Sequence, residues 1–202
     1  MITRVQITAL VFVPLASVAV SLWFAGEPLS FTWLTSLGVA EATTFAALAV
    51  FNFWIWKWRC LQGWFVKRPI LEGKWRFVIT PLWINPTTGD PSKEIIGDVT
   101  IRQTYTKLHL QLKTPESSGD FISAKIVKKD DGTYQIAGIF RNEPLIHLQD
   151  RSRTHIGALV LNVVGESSKP KNLKGHYWTD RGTKGEIKGS RIASPSLDSN
   201  IY

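Results

Sequence analysis

The most constraining feature of this sequence is an uncharged amino-terminal stretch that is as long as a membrane span. Residues 5–26 contain no charged side chain over 22 positions, and a helix needs about 20 apolar residues to cross the hydrocarbon core of a bilayer. A turn around Pro28 follows, and a second apolar stretch covers residues 37–56 with Glu41 as its single charge. Because a helix satisfies its own backbone groups in lipid, we predict two transmembrane helices joined as a hairpin.

The basic residues predict how this hairpin is oriented. Arg4 precedes the first stretch, Lys57 and Arg59 follow the second, and the loop between them contains only Glu27. Positive residues remain on the cytoplasmic side, so both termini are predicted to be cytoplasmic. A cleaved signal peptide is an alternative for the first stretch, although its apolar part is longer than usual. Glu41 is either a functional intramembrane carboxylate or a side chain that reaches the interface.

The rest of the chain leaves room for one further domain. We predict the hairpin over residues 1–60, a basic aromatic connector over 61–70, a cytosolic domain over 71–192 and a disordered Ser-rich tail over 193–202. Residues 57–202 have 23 basic and 14 acidic side chains, a net charge of +9. This excess favours anionic partners, such as lipid headgroups or a phosphate-bearing ligand. Cys60 is the single cysteine, so no intramolecular disulfide is expected.

Alternating polar and apolar residues predict that the cytosolic domain is all-β. In residues 107–113 the alternation is complete, with Leu108, Leu110 and Leu112 on one face. Two further segments flank Asp131 and Gly132, a strong hairpin turn signal. Eight strands are predicted in all, over residues 73–81, 94–103, 107–113, 121–128, 133–141, 155–164, 173–179 and 184–192.

Closure of this sheet would remove its exposed edges, so the predicted fold is a small antiparallel eight-stranded up-and-down barrel that follows the transmembrane hairpin. An eight-stranded barrel has an interior just wide enough for side chains or one small ligand. If the leucines of residues 107–113 point inward, they fill the barrel and a ligand would lie at its mouth.

The sequence contains no recognisable catalytic set. The four histidines, at positions 109, 147, 155 and 176, are scattered, and no cysteine pair or Gly-rich loop before a helix is present. We therefore predict a binding protein rather than an enzyme, with no metal site and no cofactor.

The most distinctive segment covers residues 175–187. Its alternate positions would direct one aromatic ring, two hydroxyls and a guanidinium towards one region. An Arg fork and Thr hydroxyls suit phosphate, and a Tyr ring offers a face for a base. An ordinary hairpin, with Thr chosen for β propensity and Arg in solvent, explains the composition equally well. The alternate residues are Gly175, Tyr177, Thr179, Arg181, Thr183, Gly185 and Ile187.

Taken together, these features resemble the two-transmembrane, β-strand-rich effectors of bacterial CBASS anti-phage systems. The resemblance rests on the two spans, the tryptophan-rich basic connector, the opening Gly73-Lys74-Trp75 and the closing Tyr177-x-Thr179-x-Arg181-x-Thr183-x-Gly185, and it covers nearly the whole chain. It implies a multi-pass protein of the bacterial inner membrane whose barrel binds a 3′,3′-cyclic dinucleotide made by a partner nucleotidyltransferase. Polymeric nucleic acid is not an implied partner.

The resemblance also implies a mechanism. Binding of the cyclic dinucleotide would drive self-association of the membrane segments into a homo-oligomer. The inner membrane would then lose its integrity, and the infected cell would die before the phage matures.

On this hypothesis, the first candidates for ligand contact are Tyr177, Thr179, Arg181, Thr183 and Lys184. Two other functional classes remain open: a membrane-tethered, lipocalin-like carrier of an apolar molecule, and a module that docks another protein. The further candidates comprise polar residues near the hairpin strands and two aromatic side chains that could stack on a base, namely Arg141, Asn142, Arg151, Arg153, Tyr105 and Trp75. For Trp75, a place in the barrel core is the alternative.

Overall fold

The computed structural model describes residues 31–84, 89–150, 152–165 and 168–192, with side chains from residue 42 onward. The chain divides into two compact units, Met1–Leu61 with Thr104–Thr106, and Gln62–Gln103 with Lys107–Tyr202. The first predicted span, Arg151 and the predicted tail of residues 193–202 lie outside the described residues, as does the side chain of Glu41.

Within the described residues, the first unit contains one α-helix and two short 3-10 helices, Ile55–Lys57 and Arg59–Leu61. Helix α1 (Phe31–Phe53) overlaps the second predicted span. The Tyr105 N–H donates to the Asn52 carbonyl oxygen at 2.9 Å, and the Tyr105 ring packs edge-on against Phe51 and Trp56 at centroid separations of 5.1 and 6.0 Å. No helix within the described part of the chain meets the length and apolarity that a membrane span requires.

The second unit is a closed barrel of eight antiparallel strands, in which each strand pairs with its neighbours in sequence and β1 pairs with β8. This confirms the predicted eight-stranded up-and-down barrel, and all eight predicted strands are found within a few residues of their predicted bounds. The strands are β1 (Gly73–Pro81), β2 (Ile95–Gln103), β3 (Leu108–Lys113), β4 (Ser117–Lys128), β5 (Tyr134–Pro144), β6 (His155–Val164), β7 (Asn172–Thr179) and β8 (Lys184–Arg191).

Alternate residues of each strand fill the barrel interior. Leu108 and Leu110 are buried, so the alternating β3 segment faces inward with its leucines. The β4–β5 turn forms at the predicted residues, where Gly132 adopts a φ of 84° that favours glycine. The buried interior contains aliphatic and aromatic side chains from across the sheet, including Trp75, Phe77, Val99, Ile101, Ile136, Leu159, Leu161, Leu173 and Ile187.

One end of the barrel is closed by the segment that precedes β1. The buried Gln103 side chain accepts hydrogen bonds from the Leu71 and Glu72 N–H groups at 2.6 and 3.2 Å and donates to the Pro69 carbonyl at 3.0 Å. These bonds satisfy backbone groups that burial would otherwise leave without partners.

Trp75 and Arg191 contribute to the same closed end. The Trp75 indole is completely buried and donates to the Leu71 carbonyl at 2.8 Å. The Arg191 guanidinium lies 4.7 Å from the ring centroid and donates to the Ile70 and Glu72 carbonyls, each at 2.7 Å. Trp75 is therefore part of the core and does not offer a free face for stacking.

Candidate functional site

The other end of the barrel opens into a cavity of about 880 Å³. This volume lies within the range of about 300–1,000 Å³ that is typical of small-molecule sites. Apolar side chains form its floor, including Phe77, Phe121, Phe140, Leu159 and Ile187. A ligand therefore has space at the mouth above a filled interior, as expected if the β3 leucines point inward.

The β7–β8 hairpin supplies the polar wall of this cavity. Tyr177, Thr179, Arg181 and Thr183 all line it, so the alternate residues do converge on one region. The turn between the strands is tight: the Thr179 N–H donates to the Thr183 carbonyl at 2.9 Å, and Gly182 adopts a φ of 75°. A residue with a Cβ rarely adopts this φ, so Gly182 makes the tight turn possible. The turn in turn places the neighbouring Arg181 at the rim of the cavity.

The two threonines act as a pair. The Thr179 and Thr183 hydroxyl oxygens lie 2.7 Å apart, and Thr179 is buried. Because each hydroxyl has one donor and two acceptor positions, the pair can rearrange to donate to an anionic ligand oxygen without leaving a buried group unsatisfied.

Arg181 connects the β7–β8 turn to the β5–β6 loop. Its Nη1 donates to the Ser152 hydroxyl at 3.0 Å and to the Arg153 carbonyl at 3.5 Å. Both contacts use one nitrogen of a guanidinium that has five N–H donors in a planar fork. Arg181 is thus oriented at the cavity with a geometry that suits bidentate phosphate contact.

Burial raises the pKa of the Tyr177 phenol above its ordinary value of 10.0, and the nearby positive charge of Arg181 partly opposes this shift. The neutral phenol therefore contributes stability that is fully present below pH 10 and is lost as the pH rises through the raised folded-state pKa.

We expect the ultraviolet titration of the folded chain to contain a tyrosinate component with a midpoint above pH 10 that is missing from Tyr177→Phe. Tyr134→Phe, in which a different one of the four tyrosines is replaced, is the control and should retain that component. Loss of a component at or below pH 10 in Tyr177→Phe would contradict the burial of this phenol.

The remaining predicted ligand residues are distributed differently. Asn142 lines the cavity. Arg141 and Lys184 are exposed and are not part of its lining, and Arg153 contributes its carbonyl to Arg181. Tyr105 packs in the first unit, as described above. The side chains of four predicted contact residues are thus not part of the cavity lining, and their contact with a ligand stays a prediction. These four are Arg141, Lys184, Arg153 and Tyr105.

Several lining residues were not singled out from the sequence. Phe121 and Phe140 are register partners on β4 and β5, with ring centroids 5.6 Å apart. His155, Lys93, Glu94 and Glu116 also line the cavity. The two phenylalanines were already assigned to predicted strands, but the pairing register that brings their rings together is a tertiary property.

Comparisons with known proteins identify related sequences. Residues 66–191, which include all eight strands, match the family described as "Cap15, cyclic dinucleotide receptor domain". A protein of Yersinia aleksiciae called "CD-NTase-associated protein 15" is 27% identical over 132 residues, which are 64% of this chain. The match spans 59% of the length of that relative.

Proposed function

The chain belongs to the Cap15 cyclic dinucleotide receptor family, and on this premise we propose that it binds a 3′,3′-cyclic dinucleotide in the cavity at the barrel mouth. The observation that supports this site most strongly is that Tyr177, Thr179, Arg181 and Thr183 line a single cavity. An ordinary hairpin with the same composition would not need to direct all four side chains inward.

The chemistry of the cavity matches the two parts of such a ligand. A cyclic dinucleotide has two phosphates, for which Arg181 offers a fork, the threonine pair offers hydroxyls and Lys93 offers a second positive charge at the rim. It also has two bases, and the aromatic rings of Tyr177 and Phe140 are candidate surfaces for stacking.

We further propose that the chain is the effector of a CBASS anti-phage system and does not chemically alter its ligand. A partner nucleotidyltransferase would make the cyclic dinucleotide, and the name of the Yersinia relative, "CD-NTase-associated protein 15", supports such a partner.

Membrane disruption is the proposed output of this receptor. The uncharged residues 5–26 and the basic residues after position 56 support a multi-pass location in the bacterial inner membrane with both termini in the cytoplasm. Two helices cannot enclose a pore, so several hairpins would have to assemble after ligand binding. Small residues at positions 42, 46, 47 and 49 would allow close approach of the helices.

A thermal-shift titration of the purified full chain in detergent against a panel of 3′,3′-cyclic dinucleotides tests the receptor proposal. A ligand at 100 times its Kd should stabilise the folded state by about 2.7 kcal/mol. We expect one cyclic species to stabilise the chain selectively, while the matching linear dinucleotides have little effect. A folded chain that responds to no member of the panel would contradict the proposal.

The apolar floor of the cavity favours one alternative, a lipocalin-like carrier of an apolar molecule. A carrier would extract lipid or another apolar ligand and would be indifferent to replacement of Arg181. Co-purified lipid that a cyclic dinucleotide does not displace would favour the carrier.

A further inference from the structure

A row of three paired residues lies at the cavity, near the ends of their strands. Asn142 on β5 pairs with Gly119 on β4 and with His155 on β6, and all three residues line the cavity. We call them the rim row. Register partners on one face of a sheet have Cβ atoms about 5 Å apart. The side chains of Asn142 and His155 are therefore close enough to contact the same flat group.

An aromatic floor lies one inward position deeper than the rim row. These deeper positions are Phe121 on β4, Phe140 on β5 and Gly157 on β6, which are again register partners. A Cβ at Gly157 would lie 2.5 Å from the Phe140 Cζ, so the Phe140 ring extends across β6 where residue 157 has no side chain. The ring is half-buried, and it offers a surface to a planar group that contacts the rim row.

The Asn142 amide is available to a ligand. It makes no hydrogen bond within the described residues. Its neighbour on β4 is a glycine, and a Cβ there would lie 3.6 Å from the Asn142 Oδ1. Gly119 thus leaves the space beside this amide open. Because the amide has both an acceptor oxygen and an N–H₂ donor, it can bond to two adjacent atoms of a ligand.

The hydrogen bond of His155 determines which of its nitrogens can accept. His155 Nδ1 lies 3.1 Å from the Arg153 carbonyl oxygen. A carbonyl oxygen can only accept, so Nδ1 carries the proton and Nε2 of the neutral ring is an acceptor. Arg181 Nη1 donates to the same carbonyl at 3.5 Å. The rim row therefore adjoins the guanidinium that is proposed to bind phosphate.

We propose that the rim row contacts the edge of one base of the ligand and selects a base with an exocyclic amino group. This inference rests on the proposed receptor function. The Asn142 amide would accept one amino hydrogen and donate to the adjacent ring nitrogen, as asparagine does with adenine. His155 Nε2 would accept the second amino hydrogen, and the Phe140 ring would support the face of the base.

The same geometry disfavours an oxo group at this position. An oxo oxygen would bring a second acceptor towards His155 Nε2, and neither atom would then have a hydrogen to share. A site that hydrogen-bonds a substrate group discriminates strongly against an analogue that lacks the group, because the polar atoms of the site are left unpaired. Uracil has no exocyclic amino group, so it is also disfavoured here.

The test compares ligands that differ only in this group. 3′,3′-Cyclic di-AMP and 3′,3′-cyclic di-IMP have the same size, and the second has an oxo group in place of the amino group. Cyclic UMP–AMP and cyclic UMP–IMP form a second pair with one purine each. Isothermal titration uses the full chain in detergent at pH 8, so that the imidazole is neutral. In the tighter-binding pair, the amino ligand should have a Kd about tenfold lower.

His155→Gln tests whether Nε2 is the source of this selectivity. A glutamine amide can rotate to donate to an oxo group or to accept from an amino group, so the Kd values of the pair should agree within about threefold. His109→Gln is the matched control. His109 is an exposed residue on the outer side of β3, 3.4 Å from the Asp120 carboxylate, and its replacement should leave the selectivity unchanged.

Three outcomes would overturn the inference while the receptor proposal stands. The first is equal affinity for both ligands of a pair, and the second is tighter binding of cyclic di-UMP than of either amino ligand. The third is a selectivity that His155→Gln does not change. A folded chain that binds no cyclic dinucleotide would instead contradict the receptor proposal, and this inference with it.

Discussion

Arg181→Ala is expected to lower the affinity of the chain for its cyclic dinucleotide about a hundredfold. A charge-assisted hydrogen bond contributes about 1.5–3 kcal/mol, and each 1.4 kcal/mol corresponds to a factor of ten in Kd. Arg181 lines the cavity and its Nη1 contacts Ser152 and Arg153. Isothermal titration of the full chain in detergent measures this change. Arg181→Lys should show an intermediate loss, because lysine keeps the charge but lacks the planar fork.

Two further variants separate the possible causes of that loss. Lys188→Ala removes one positive charge from the exposed outer side of β8 and should change Kd by less than about threefold, because charges there are screened by solvent. Ser152→Ala removes the hydroxyl contact of Arg181 but keeps the guanidinium, so its effect should be clearly smaller than that of Arg181→Ala. Unchanged binding by Arg181→Ala would count heavily against this site.

Gln103→Ala is expected to lower the free energy of unfolding of the barrel by about 3 kcal/mol, because it leaves backbone groups near the closed end without their partner. The Gln103 side chain is only 3% exposed and bonds to the Leu71 and Glu72 N–H groups and to the Pro69 carbonyl. Urea unfolding of the full chain in detergent, followed by tryptophan fluorescence, gives this difference.

Gln111→Ala is the matched control for this change. Gln111 is a half-buried residue on the outer side of β3, and its truncation should change the free energy of unfolding by no more than about 0.5 kcal/mol. Equal effects of the two substitutions would show that the hydrogen bonds of Gln103 do not stabilise the closed end.

Much of the fold could be predicted from local sequence. The alternation at residues 107–113 and the Asp131-Gly132 turn identified strands that the structure contains. Alternation succeeds here because the two faces of a strand meet different environments, apolar inside the barrel and solvent outside. The predicted bounds of β4 agree less well with the structure. It begins at Ser117 rather than at residue 121, and a register shift between Phe121 and Ser123 interrupts its alternation.

The candidate site could be predicted only in part. The alternate residues of the β7–β8 hairpin were identified because they lie close together in sequence. The structure places Tyr177, Thr179, Arg181 and Thr183 at one cavity. Arg141 and Asn142 are adjacent, so they point to opposite sides of β5, and only Asn142 lines the cavity. Phe121, Phe140 and Lys93 come from distant segments, and no local pattern connects them to the hairpin.

Apart from the start of β4 and its register shift, the sequence by itself determined approximately where the strands and turns lie and which residues share a strand face, because these properties depend on neighbours a few positions apart. Only the tertiary structure decided which face is interior, which end is closed and which is open. The reason is that β1 pairs with β8 and Gln103 bonds to residues 69–72 across separations that only closure of the barrel brings together.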